Sequence, residues 1–152
     1  TSLSTPIDPA TPQDIFVDAV WPDGVESVSR LIIEALGHPA RLRAGSLGVL
    51  DSLDPDENQF FVARSLHTGE VLGASTMHTR DNSAMLANVS TPPAGHGRGV
   101  ERALIGTMMN RAASTGIRSA TLVTNSRDYP YFIELGFRTQ FTVVGWIWDP
   151  SR

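Results

Sequence analysis

The chain has 152 residues and a mass of 16.4 kDa, the size of one domain and enough to bury roughly 70% of the surface its unfolded form exposes. With 41% hydrophobic and 18% charged residues, a net charge of −4 and a pI near 5.4, the composition is globular and carries no basic footprint for nucleic acid. There is no cysteine and no lysine, all 12 basic residues being arginine, which excludes disulfides, thiolate metal sites, thiol nucleophiles, Schiff-base lysines and lysine-containing phosphate loops. No apolar run reaches 18 residues and no signal-peptide pattern is present, so the expectation is a cytoplasmic protein without a membrane span. Thr1 in place of an initiator methionine reads as a processed or partial chain.

One domain is expected over residues 1–152. Its opening, residues 1–6, is a flexible lead-in or part of a short strand, Leu3 to Ile7. Asp14 to Val20 and Val25 to Leu36 both read as helices. In the second, Val28, Leu31, Ile32, Ala35 and Leu36 recur at three- and four-residue steps, and Gly37 with Pro39 stops it. His38 to Ser52 is helical or irregular, and Asp51 to Asn58 is a polar loop. A strand meander follows: Phe60 to Leu66, Val71 to Arg80 with Val71, Gly73, Ser75 and Met77 on one face, and Ala84 to Val89. A glycine-rich loop, Thr91 to Gly99, then feeds a helix from Val100 to Ser114, with Gly116 as its left-handed cap. Ser119 to Thr124 reads as a strand and Tyr129 to Leu135 as a short helix with Asp128 at its N-cap and Gly136 as terminator. Arg138 to Trp148 reads as a long last strand. The order predicts a mixed α/β sandwich.

The glycine-rich loop is the strongest chemical feature. A loop between a strand and a helix leaves the first helical N–H groups free, at the positive end of the helix dipole. Gly97 and Gly99 let an anion approach the backbone, so a phosphate or pyrophosphate is the natural guest, with a plain flexible loop as the alternative. The dinucleotide fingerprint fails because Val100 and Arg102 stand where its third glycine would be. The four histidines, His38, His67, His78 and His96, contain no i, i+4 pair, so no metal site is expected.

Downstream come a strand, Asn125, and a helix reading Tyr131-Phe132-Ile133-Glu134-Leu135-Gly136-Phe137. Together with a valine-ended strand at Val89 and the loop His96-Gly97-Arg98-Gly99-Val100-Glu101, this segment resembles the Gcn5-related N-acetyltransferase family. Its loop has the form Arg/Gln-x-x-Gly-x-Gly/Ala, and its later helix reads roughly Leu-Tyr-Glu-Lys-Leu-Gly-Phe. The motifs cover about a third of the chain.

The resemblance implies a mostly antiparallel sheet of six or seven strands flanked by helices on both faces. It implies that the strands ending at Val89 and Thr124 splay around the pantetheine arm of acetyl-CoA. On the same ground His96, Gly97, Arg98, Gly99, Val100 and Glu101 hold the pyrophosphate, Val89 pairs with the arm, and Asn125 and Phe132 lie beside it. The implied reaction is direct acetyl transfer to a small-molecule amine, with no covalent enzyme intermediate and no metal, which suits a chain without cysteine.

Three positions depart from the family pattern: His96 for Arg or Gln, Glu101 for Gly or Ala, and Phe132 for the tyrosine that protonates the leaving thiolate. Tyr131 is the neighbouring phenol. Candidate bases are His78, Glu134 and Asp128, with a water relay as the alternative. The departures also admit an acyl-CoA or acyl-carrier binding protein with other chemistry, for example decarboxylation, or a non-catalytic pseudoenzyme. Trp21, Trp146 and Trp148 are core or acceptor-pocket residues, and a homodimer through Phe141 to Trp148 is conceivable from its edge position.

Overall fold

The computed structural model describes residues 12, 14–20, 25–35, 53–124 and 128–144. The possible opening strand Leu3 to Ile7, the stretch His38 to Ser52, Trp21, Asn125, Trp146 and Trp148 lie outside the described residues. The chain falls into two compact units, residues 2–123 and residues 124–152.

The first unit runs β1 (Ile15–Val20), α1 (Val25–Ala35), β2 (Asn58–Ser65), β3 (Val71–Arg80), β4 (Ser83–Ser90), α2 (Val100–Ser114) and β5 (Ser119–Leu122). These five strands form one sheet in the order β1-β2-β3-β4-β5. The first three pairings are antiparallel, and β4–β5 is parallel. Five strands are therefore described where six or seven are expected, in a mixed and mostly antiparallel sheet with helices packed on it.

The segment Asp14 to Val20 is not a helix. Ile15 to Val20 is an edge strand that pairs with β2 from Ile15↔Ser65 to Val20↔Phe60. Four of its six residues are β-branched or aromatic, which suits a pleated surface. Arg138 to Trp148 is also corrected where it is described: residues 138–144 carry no strand, and Phe141, Val143 and Val144 are exposed. No ladder partner for them exists among the described residues, and an unpaired segment has no means of holding strand geometry.

The two faces of the sheet have separate cores. On one face Val28 and Ile32 of α1 pack against Phe60, Val62 and Ala74, with Val20, Leu31 and Val71 at the margin. On the other face α2 lies against β3. Val100 Cγ1 stands 2.5 Å and Leu104 Cδ1 3.2 Å from where a Cβ on Gly73 would be, and the Ser75 hydroxyl donates to Met108 Sδ at 3.3 Å. Gly73, Ser75 and Met77 therefore share the α2 face, but Val71 does not. The register skips a residue between Ala63↔Gly73 and Arg64↔Val71, and a one-residue slip turns Val71 to the α1 face.

The helix α2 buries Val100, Ala103, Leu104, Ile105, Gly106, Met108, Met109 and Ala112, a wider band than one stripe. It ends on Gly116, at φ 83°. The N–H of Ile117 reaches the Ala112 carbonyl at 3.0 Å and that of Gly116 reaches Ala113 at 3.1 Å, so the last carbonyls are satisfied.

In the second unit, α3 spans Tyr129–Glu134. Gly136, at φ 86°, stops it, and Phe137 N–H closes back on the Phe132 carbonyl at 3.0 Å. Asp128 occupies the N-cap position in αR geometry, and its side chain makes no cap hydrogen bond.

Candidate active site

Two features of the first unit converge on the end of β4. One is where its pairing with β5 stops. The parallel ladder runs from Ser83↔Ser119 to Leu86↔Leu122, while β4 continues to Ser90. From Ala87 to Ser90 the edge of β4 that faced β5 has no strand partner among the described residues, and an extended chain of amides can add there as a strand would. A bulge in β4 marks the same place. Ala74 pairs with Ser90 and Thr76 with Ala87, so Asn88 and Val89 oppose Ser75 alone. Asn88 has φ 53°, a left-handed conformation that asparagine tolerates better than most residues. Its Nδ2 donates to Thr76 Oγ1 at 3.1 Å, and that hydroxyl donates to the Ala87 carbonyl at 3.2 Å.

The second feature is the loop from β4 into α2. Pro93–Gly95 forms a 3-10 turn. A Cβ on Gly95 would stand 2.2 Å from the Leu72 carbonyl oxygen, so the loop is pressed against β3 where only glycine fits. Gly97 and Gly99 have φ 72° and 76°, and a Cβ on Gly97 would meet no atom within 4 Å. Gly99 is the N-cap of α2 and offers no side chain to its first turn. The first helical bond is Ala103 N–H to the Gly99 carbonyl at 3.0 Å, which leaves the N–H groups of Val100, Glu101 and Arg102 with no acceptor inside the helix. At this helix end, positive by its dipole, those donors suit an anion.

Each loop residue has a definite place. Val100 buries its side chain against β3. His96 is exposed, and its Nε2–H donates to the Thr91 carbonyl at 2.9 Å. Arg98 donates its backbone N–H to the Gly95 carbonyl at 3.3 Å, and its guanidinium to Asp14 Oδ2 at 2.6 Å. Asp14 is held below its ordinary value chiefly by that hydrogen bond. Glu101 is exposed in the first turn of α2, and Val89 is half-buried on the bulge. Sequence reasoning missed two hydroxyls beside them: Ser90 Oγ and Thr91 Oγ1 are buried with no hydrogen-bond partner among the described residues. A Ser-Thr pair just before a Pro-Pro loop was the available signal.

His78 is half-buried on β3, on the α1 face opposite Met85. Its Nδ1 is hydrogen-bonded to Asn58 Oδ1, and burial pushes its pKa below 6.5. In the second unit Phe132 is packed edge-on between Tyr131, with ring centres 5.3 Å apart, and Phe137, at 6.0 Å. Glu134 and Asp128 are exposed. Among the described residues no group of three or more histidines and carboxylates is placed to hold a metal ion, and no helix is long and apolar enough to cross a membrane.

The sheet, its bulged strand, the glycine loop and the helix that follows have counterparts among solved acetyltransferase structures. Neither a family sequence model nor a curated protein sequence matches the chain. Solved structures do. An acetyltransferase of Trypanosoma brucei superposes with a TM-score of 0.71 at 17% identity, over 89% of this chain and 100% of that one. A GCN5-related N-acetyltransferase of Ralstonia eutropha gives 0.68 at 18% identity, over 88% of this chain and 98% of that one. AAC(6')-Iy in complex with the bisubstrate analogue CoA-S-monomethyl-acetylneamine gives 0.65 at 19% identity, over 89% and 98%. The shared property is the fold.

Proposed function

We propose that the protein is an acyl-CoA-dependent N-acetyltransferase that moves an acetyl group from acetyl-CoA directly to a small-molecule amine in a ternary complex. The observation that carries this reading is the edge of β4, Ala87 to Ser90, unpaired among the described residues and followed in the chain by a glycine loop and the N-terminus of α2. A free strand edge and a helix N-terminus suit a ligand with an amide arm at one end and a pyrophosphate at the other, and the neighbour bound to a CoA bisubstrate analogue has the same fold.

The residues present fit such a ligand. Gly97 leaves room over the helix end, and the backbone N–H groups of Val100, Glu101 and Arg102 are its donors. The unpartnered hydroxyls of Ser90 and Thr91 add two polar atoms beside the β4 edge. His96 and Arg98 serve by shaping the loop, since both already bond protein acceptors. Val89 supplies main-chain groups to the arm; Asn125 and Phe132 are assigned to it by the family resemblance alone. Bound acetyl-CoA supplies an activated acyl group. The chain's part is to place that group beside the amine, exclude water and move two protons. His78 is the candidate to take the proton from the amine, and Tyr131 the candidate to give one to the departing thiolate.

A second reading, an acyl-CoA binding protein without transfer, is favoured by Phe132, which has no proton to donate and is packed between two rings.

Calorimetric titration with acetyl-CoA tests both. Micromolar binding that is lost in Gly97→Glu, followed by thiol release with a panel of amines, is the outcome expected of the enzyme. Binding without thiol release selects the second reading, and no binding at millimolar acetyl-CoA rejects both.

A further inference from the structure

A hydrogen-bond chain behind His78 settles which of its ring nitrogens carries a proton. Asn58, 8% exposed, donates through Nδ2 to the Asp54 carbonyl at 2.8 Å. That same carbonyl receives the backbone N–H groups of Glu57 at 3.2 Å and Asn58 at 2.9 Å, so the turn is held in place. With its amide donating to Asp54, Asn58 presents only its carbonyl oxygen, Oδ1, to His78. An oxygen that only accepts requires a proton on Nδ1. The neutral ring is then protonated at Nδ1, and Nε2 carries the lone pair.

The position of His78 gives this tautomer a use. His78 lies on the α1 face directly across from Met85, one side-chain step from Ala87, where β4 loses β5. The diagonal between such positions is about 7–8 Å, and the free edge of β4 lies on the side away from β3, about 5 Å further, so the ring communicates with a bound amine through water across this face. An arm laid along β4 from Ser90 ends at Ala87, because beyond it the β5 ladder occupies the edge. Met85 is 44% exposed, so this face of the sheet is open beside the histidine.

We propose that Asn58 is a positioning residue that locks His78 in the Nδ1–H tautomer, so that Nε2 is the base receiving the proton of the acceptor amine. The inference rests on the acetyl-transfer reading. In the step, the amine nitrogen forms the C–N bond and the C–S bond breaks, its electron pair leaving on sulfur. The proton released by nitrogen passes to Nε2, and the thiolate is protonated separately.

Burial lowers the pKa of His78 and keeps the ring neutral near pH 7. The charged residues on the elements around it are Asp54, Asp56 and Glu57 before β2, Arg64 on β2, Arg80 on the same face of β3, Asp18 on β1, and Glu34, Glu26 and Arg30 on α1. The last two pair with each other at 2.7 Å. Burial, not any of these charges, is the cause of the shift.

The test uses the full chain labelled with 15N-histidine, with His78→Gln assigning the resonance. Nitrogen shifts near neutral pH are expected to report Nδ1–H for His78 in wild type, and Nε2–H or a mixture in Asn58→Leu. A wild-type Nε2–H tautomer overturns the proposal whether or not acetyl transfer occurs. Kinetically, kcat/KM for the amine is expected to fall about 100-fold or more in His78→Gln. In Asn58→Leu it falls about 10-fold or more, with acetyl-CoA affinity unchanged in both. Asn58→Asp places a carboxylate against Nδ1–H and is expected to move the acid limb of the pH profile upward. A merely structural Asn58 would lower stability and leave that limb in place, and that result overturns the positioning role. Unchanged turnover in His78→Gln rejects the base and leaves the transferase reading standing. Failure of wild type to bind acetyl-CoA rejects that reading and the base together.

Discussion

At the scale of single residues, the loop before α2 is governed by where a Cβ or a charge can be tolerated. Gly95 meets the Leu72 carbonyl so closely that Gly95→Ala must push the loop off β3. The expected cost is about 1–3 kcal/mol, read as a lower Tm together with weakened acetyl-CoA binding. Glu101 is the opposite case, an exposed side chain that the fold does not need. Its carboxylate is stabilised by the positive helix end and opposes a phosphate bound there. Glu101→Gln is expected to tighten acetyl-CoA binding about 2- to 5-fold at low salt, with the gain shrinking as salt is added. Calorimetry at two ionic strengths checks both parts. Gly97 and Gly99 stand out in the sequence by composition alone. The closure of Arg98 on Asp14, 84 positions away, does not, because no local pattern marks a partner at that distance.

At the scale of elements, β4 decides the site. It pairs as an ordinary strand as far as Leu86, then bulges at Asn88 and Val89 and leaves β5. Asn88 holds the bulge by its left-handed backbone and its bond to Thr76. Asn88→Val puts a β-branched residue at φ 53° and removes that bond. The expected loss is about 1–3 kcal/mol of stability, and acetyl-CoA binding should weaken further as the free edge is reshaped. Asn88→Gly relieves the backbone strain, so stability that recovers without affinity would separate the two effects. In the sequence Ala84 to Val89 reads as a strand, but its bulge is invisible, since a bulge is defined by what lies opposite. The same holds for β1. Ile15, Phe16, Val17, Ala19 and Val20 present both a helical spacing and a β-rich composition, and the Ile15 to Val20 ladder with β2 chose between them. By contrast, Val71–Arg80 and Val100–Ser114 have the bounds read from the sequence. Turns or glycines punctuate both, and each carries enough apolar residues to be committed locally.

At the scale of the whole molecule, the Arg98–Asp14 pair ties the loop before α2 to the start of β1. The guanidinium keeps the Asp14 carboxyl below its ordinary 3.8, so the folded state holds that proton less tightly than the unfolded chain does. The stabilisation is complete above about pH 3.8 and is lost as pH falls through the lowered value. Asp14→Asn is expected to lower Tm slightly at neutral pH and to flatten its decline below pH 4. Thermal melts from pH 7 to 3 in both proteins measure the difference.

What the sequence determined by itself was whatever short-range chemistry enforces. The chemistry of thiols and lysines was excluded by composition. The long helix was set by its apolar band and its Gly116 cap, and the anion-ready loop by glycines between a strand and a helix. What only the tertiary structure decided was what depends on partners far along the chain. These are the sheet order, the strand identity of β1, the turn of Val71 to the α1 face, and the place where β4 leaves β5. The physical reason is common to all four. Each is set by hydrogen bonds between segments distant in sequence, and a sequence displays the donors and acceptors without showing which of them meet.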